Sequence, residues 1–143
     1  MAKRFSELEG GRFVFRSMKE DGDHPSIGPT SRQLGLRTNA GDESDITIDD
    51  DGNVLSDEEG LSVTPDHPMR LKLYRRPLEW GGKRSCPPVW GIRIGDLGNE
   101  LEFGEDPTNP ENHGFIVPAH VMTFDRYKRA IEATCNQWGI VVP

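Results

Sequence analysis

Cysteine is almost missing from this chain: Cys86 and Cys135 are the only two in 143 residues, far apart and without a Cys-x-x-Cys pair. Neither a disulfide framework nor a four-cysteine zinc site is expected. Hydrophobic residues make up 34% of the chain and aromatics 8%, and no apolar run approaches the roughly 18 residues that a spanning helix needs. The start, Met1-Ala2-Lys3-Arg4-Phe5-Ser6-Glu7, lacks the apolar core of a signal peptide. A reducing, cytoplasmic setting is therefore expected, with no membrane partner. Positive charge is also scarce, since 17 Lys and Arg face 24 Asp and Glu, for a net charge of −7 and a pI near 5.1. Such a chain is not steered toward phosphate backbones, so a nucleic-acid partner is not expected.

What the chain has in quantity is punctuation. Sixteen glycines and eleven prolines favour short strands and frequent turns over a helical bundle. The length suits one modest core, hence a single domain over residues 1–143. Gly60-Leu61-Ser62-Val63-Thr64-Pro65 is the clearest strand: Leu61 and Val63 alternate with Ser62 and Thr64, so one face is apolar and the other is a hydroxyl floor. Arg12 to Arg16 gives an earlier strand, with Phe13 and Phe15 on one face and Arg12, Val14 and Arg16 on the other, from which Arg16 is expected to reach the Ser62 and Thr64 floor. Val89 to Ile94 directs Trp90, Ile92 and Ile94 to the core, and Leu101 to Phe103 and His113 to Pro118 read as further strands. Two stretches, Lys19 to Gly41 and Leu78 to Pro88, show no period and read as surface loops.

One helix is expected after Met122, capped by Thr123, with Phe124, Tyr127, Ile131, Cys135 and Trp138 in one apolar stripe and Gly139 as its stop. Ile140 to Val142 can add a last strand. Between Pro68 and Pro77, Arg70, Lys72, Arg75 and Arg76 gather positive charge in an acidic protein, suited to phosphates or to an acidic partner. Asp45 to Leu55 reads as strand, turn and strand, and Asp49, Asp51, Gly52 and Glu58 also fit positions of a calcium loop, although its first position would be Thr47 and its flanks are strands. His67, His113 and His120 are candidate metal ligands for a hydrolase, but at no spacing that a helix-borne zinc pair uses.

Taken together, Phe15-Arg16-Ser17, Gly60 to Pro65, Pro88-Val89-Trp90-Gly91-Ile92 and His113 to Met122 make the chain resemble the ADP-ribosyltransferase-like fold. It is most similar to the cytotoxic effectors of type VI secretion that carry that fold. The resemblance implies an α+β protein with a split, mostly antiparallel sheet and one C-terminal helix, holding NAD as substrate in a cleft. Arg16, Ser62 and His113 would then be catalytic, and Arg16, Ser62, Thr64 and Trp90 would bind the dinucleotide; no metal is implied. A toxin acting inside target cells, delivered by a non-classical secretion route and matched by a cognate immunity or antitoxin protein, follows from the same resemblance. The third motif lacks the glutamate that many transferases of this fold place there, and Glu102, Glu105 and Glu111 are the carboxylates left to approach from a loop. A non-catalytic protein-binding module, such as an immunity or antitoxin protein, is the alternative, supported by that gap and by the net acidity.

Overall fold

The computed structural model describes residues 2–36, 48–54 and 60–143. In chain order its strands are β1 (Lys3–Arg4), β2 (Phe13–Ser17), β3 (Glu20–Asp21), β4 (His24–Pro25), β5 (Asn53–Val54), β6 (Leu61–Pro65), β7 (Val89–Arg93), β8 (Leu101–Glu105), β9 (Gly114–Pro118), β10 (Met122–Thr123) and β11 (Gly139–Val142). The α-helix, α1 (Phe124–Ala133), lies near the C-terminus. Seven strands form one sheet in the order β1-β11-β7-β2-β6-β9-β8, antiparallel throughout except where β1 meets β11. The class is α+β with a largely antiparallel sheet, as expected. Among the described residues no helix is long and apolar enough to cross a membrane.

Both faces of the sheet are covered, which explains why so few strands show clean alternation. On one face Val14, Leu61, Val63, Trp90, Ile92 and Ile116 pack with Tyr127 and Ile131 of α1. On the other, Phe15, Val89 and Val141 pack with Leu71 and Trp80. The Tyr127 hydroxyl fastens the helix to the sheet by donating to the Ile116 carbonyl and accepting from the Leu61 amide. Position 60 is glycine because a Cβ there would run into the Ile116 carbonyl oxygen and stand 2.6 Å from that hydroxyl.

The helix starts where the sequence places it: the Thr123 hydroxyl accepts from the Arg126 amide at 3.2 Å, a side-chain N-cap. It stops earlier than its apolar stripe. Thr134, at 4% exposure, donates its hydroxyl to the Ile131 carbonyl and accepts from the Trp138 indole at 2.9 Å, and the chain continues as a 3-10 turn over Cys135–Gln137. Gly139 begins β11.

The two stretches expected as surface loops both enter the core. Leu34 and Leu36 are buried in the same core as Trp90 and Tyr127, and Ile27 bridges Leu34. Trp80 is 4% exposed and its indole donates to the Val141 carbonyl at 3.1 Å. Each is an isolated apolar plug among turn formers, so neither leaves a period in the sequence.

Candidate functional site

One of the short joints in the sheet lies between β2 and β6, the strand that carries Ser62 and Thr64. β2 pairs with β7 over five residues, from Phe13↔Arg93 to Ser17↔Val89, but with β6 over only two, Val14↔Pro65 and Phe15↔Thr64. Past Phe15 the β2–β6 ladder ends. The Arg16 guanidinium reaches across this seam: Nη1 donates to the Ser62 carbonyl at 2.9 Å and Nη2 to the Gln33 carbonyl at 3.0 Å. A planar fork of donors can join two backbone segments in this way, whereas a lysine ammonium offers no such geometry.

A cleft of about 470 Å³ opens over the seam. Its floor comes from β2 and β6, including Arg16, Ser17, Ser62 and Thr64. Ser62 is exposed while Thr64 is buried, and the Ser17 hydroxyl donates to the Pro87 carbonyl at 2.7 Å. One wall is the basic arm, where Arg70, Lys72 and Arg75 face inward around Tyr74. The Lys72 ammonium lies 5.9 Å and the Arg75 guanidinium 5.4 Å from the Tyr74 ring centroid. Arg70 is braced by Asp66 at 3.4 Å and by the Glu111 carbonyl at 2.9 Å. Among the described residues neither Lys72 nor Arg75 has a carboxylate within ion-pair distance, so this wall can receive an anion without first breaking an ion pair.

A further wall, which Arg70 touches through the Glu111 carbonyl, is the hairpin loop between β8 and β9. Here His113 Nδ1 lies 2.8 Å from Asp106 Oδ2. Asp106 Oδ1 also accepts from the Thr108 amide at 2.9 Å and the Thr108 hydroxyl at 2.8 Å. The hydrogen bond from His113, followed by those from Thr108, holds the Asp106 carboxyl down to about 2, so it is ionised across the physiological range. The loop is closed by its own backbone, with Asp106 N donating to His113 O and His113 N to Asn109 O. Phe115 supports the imidazole edge-on, with ring centroids 4.7 Å apart.

No family model, curated protein or solved structure matches this chain. What the site does is therefore argued from its own residues. Four of the five residues singled out from the sequence, Arg16, Ser62, Thr64 and His113, line this one cleft although they come from three separate segments. Trp90 does not. It is 1% exposed, its indole donates to the Met18 carbonyl at 2.9 Å, and it packs on the face covered by α1. Its role is packing, because Arg16↔Trp90 is a paired position on the core face of β2 and β7. Arg16 starts from that same face and reaches the cleft only because the sheet parts beside it.

The metal readings find no shared centre. His67 accepts from the Met69 amide and packs on Phe5 and Trp80, His120 lies 3.6 Å from Glu100, and His113 is in the cleft. Among the described residues no three histidine, cysteine or acidic side chains gather as a metal site. In the candidate calcium loop, Asp49 Oδ1 instead accepts from the Asp51 and Asn53 amides and closes a turn. Thr47 and Glu58 lie outside the described residues, as do Leu55 and the Asp45 to Thr47 part of that expected strand. Glu102, Glu105 and Glu111 do not line the cleft; among its described residues the carboxylate is Asp106. Asp106 escaped the sequence reading because it stands in a loop seven residues before His113. Its signal is Asp106-Pro107-Thr108, an acidic residue with a hydroxyl two positions on, a pattern that folds back as a tight turn.

Proposed function

We propose that this cleft binds NAD and breaks the bond between nicotinamide and ribose, as an ADP-ribosyltransferase-like toxin acting inside a target cell would. The single observation that carries the reading is the meeting of Arg16, Ser62, Thr64 and His113 in one cleft that Lys72 and Arg75 also line. The basic arm suits the pyrophosphate, and Tyr74 offers an aromatic face beside it. Ser62 and Thr64 supply hydroxyls for a ribose. Departure of nicotinamide leaves a cation-like sugar, which is favoured by fixed dipoles and a held orientation rather than by a strong nucleophile. The two-residue β2–β6 ladder, bridged by Arg16, supports a split-sheet reading of the fold.

A protein that consumes NAD harms the cell that makes it, so a cognate immunity or antitoxin protein is the partner this function requires. Calorimetric titration with NAD tests the binding step. Wild-type protein is expected to bind, and Lys72→Ala with Arg75→Ala to weaken binding by roughly tenfold or more per cation, the usual value of a charge-assisted hydrogen bond. Equal affinity in the double variant, or harmless expression of the wild-type chain, would favour the non-catalytic binding module instead.

A further inference from the structure

Where a carboxylate is wanted beside the reacting sugar, this cleft presents an imidazole, and the imidazole is held by an aspartate. From that arrangement we infer that His113 takes the proton from the attacking nucleophile and that Asp106 is its positioning residue. The inference rests on the NAD reading and names the proton acceptor of the same site.

Asp106 approaches His113 Nδ1 at 2.8 Å. An ionised carboxylate can only accept, so Nδ1 must carry the hydrogen and the neutral ring keeps its lone pair on Nε2. Asp106 is itself fixed by Thr108 through two hydrogen bonds, and the loop backbone closes on itself at Asp106, Asn109 and His113. The ring is thus set in both tautomer and direction without any ligand bound. The chemistry balances simply. The C1′–N bond of NAD breaks and nicotinamide leaves with the electron pair as a neutral molecule. A new C1′–O bond forms to water or to a target hydroxyl, and the displaced proton passes to Nε2. Water or the target hydroxyl is the co-reactant, and no oxidant or reductant is required.

The test compares the full-length wild-type protein with Asp106→Asn, Asp106→Glu and His113→Ala, after circular dichroism has shown each to be folded. Nicotinamide release is measured as kcat and KM, and the ring tautomer by nitrogen NMR on protein labelled at histidine, with His113→Ala assigning the signal. Asp106→Asn is expected to lower kcat by on the order of 10²-fold with KM nearly unchanged, the size of a general-base contribution. Its His113 signal should lose the single Nδ1–H form, and Asp106→Glu should restore part of both. A kcat that survives Asp106→Asn while His113→Ala is dead would overturn the positioning role, as would a wild-type ring protonated at Nε2. If wild-type protein releases no nicotinamide yet shows the Nδ1–H form, the NAD reading has failed, and the proton-transfer role falls with it.

Discussion

Replacing Arg16 with alanine removes two hydrogen bonds at once, to the Ser62 carbonyl at 2.9 Å and to the Gln33 carbonyl at 3.0 Å. A hydrogen bond from a charged donor contributes about 1.5–3 kcal/mol when shielded, and less where water can replace it. The side chain is half-buried at the cleft floor, the bond to Ser62 is exposed and the one to Gln33 only part-buried, so the two bonds together are worth about 2 kcal/mol. For a chain of this size that lowers the melting temperature by roughly 7 °C. The same change releases the seam that sets the height of Ser62, so NAD affinity should fall with stability. Arg16→Lys keeps the charge and can satisfy one carbonyl, and should lose about half as much of each. Thermal unfolding paired with NAD titration reads both quantities. An Arg16→Ala protein that melts at the wild-type temperature and binds normally would refute the idea that this guanidinium joins the two halves of the sheet.

Tyr127→Phe withdraws the hydroxyl that serves the Leu61 amide and the Ile116 carbonyl under 0% exposure. It should cost about 1–3 kcal/mol in urea unfolding, because buried backbone groups lose their partner. The residues lining the cleft stay in place, so nicotinamide release should be unaffected at permissive temperature. Acid should also destabilise the fold in a defined window. Asp106 is held at about 2 by His113 and Thr108, and Asp66 is lowered by Arg12. A carboxylate whose folded value lies below its unfolded one contributes stability that is present above the ordinary carboxylate range and lost as pH falls through the folded value. The melting temperature of wild-type protein should fall between about pH 4 and pH 2. Asp106→Asn should flatten part of that decline, and an unchanged slope would contradict the assignment.

The strands that position the site were legible because apolar and polar side chains alternate in sequence, Leu61 and Val63 with Ser62 and Thr64, even though the fold covers both faces and buries Thr64 as well. The helix was legible from Thr123 and its stripe, but its end was not, since the Thr134 hydroxyl turns inward to Ile131 and Trp138 only once tertiary packing surrounds it. Isolated plugs such as Leu34 and Trp80 leave no periodic signal and were read as loop. Arg16 was correctly associated with Ser62 and Thr64, although its strand face points to the core. The connection exists only because β2 and β6 separate after two pairs, which no local pattern encodes. Trp90 was placed in the core by its period, and the binding role that the resemblance implied is what fails, because the register puts it under α1. Asp106 was missed because its pairing with His113 is fixed by loop closure, not by spacing along a strand or helix, and the Asp106-Pro107-Thr108 turn signal alone does not name that partner.

The most direct measurement is a proton NMR time course of NAD incubated with purified wild-type protein and with His113→Ala. Free nicotinamide should accumulate with the wild-type protein and stay at background with the variant, while both remain folded. NAD that stays intact in the presence of folded wild-type protein, or equal release by the two proteins, would contradict the claim that this cleft is built to cleave it.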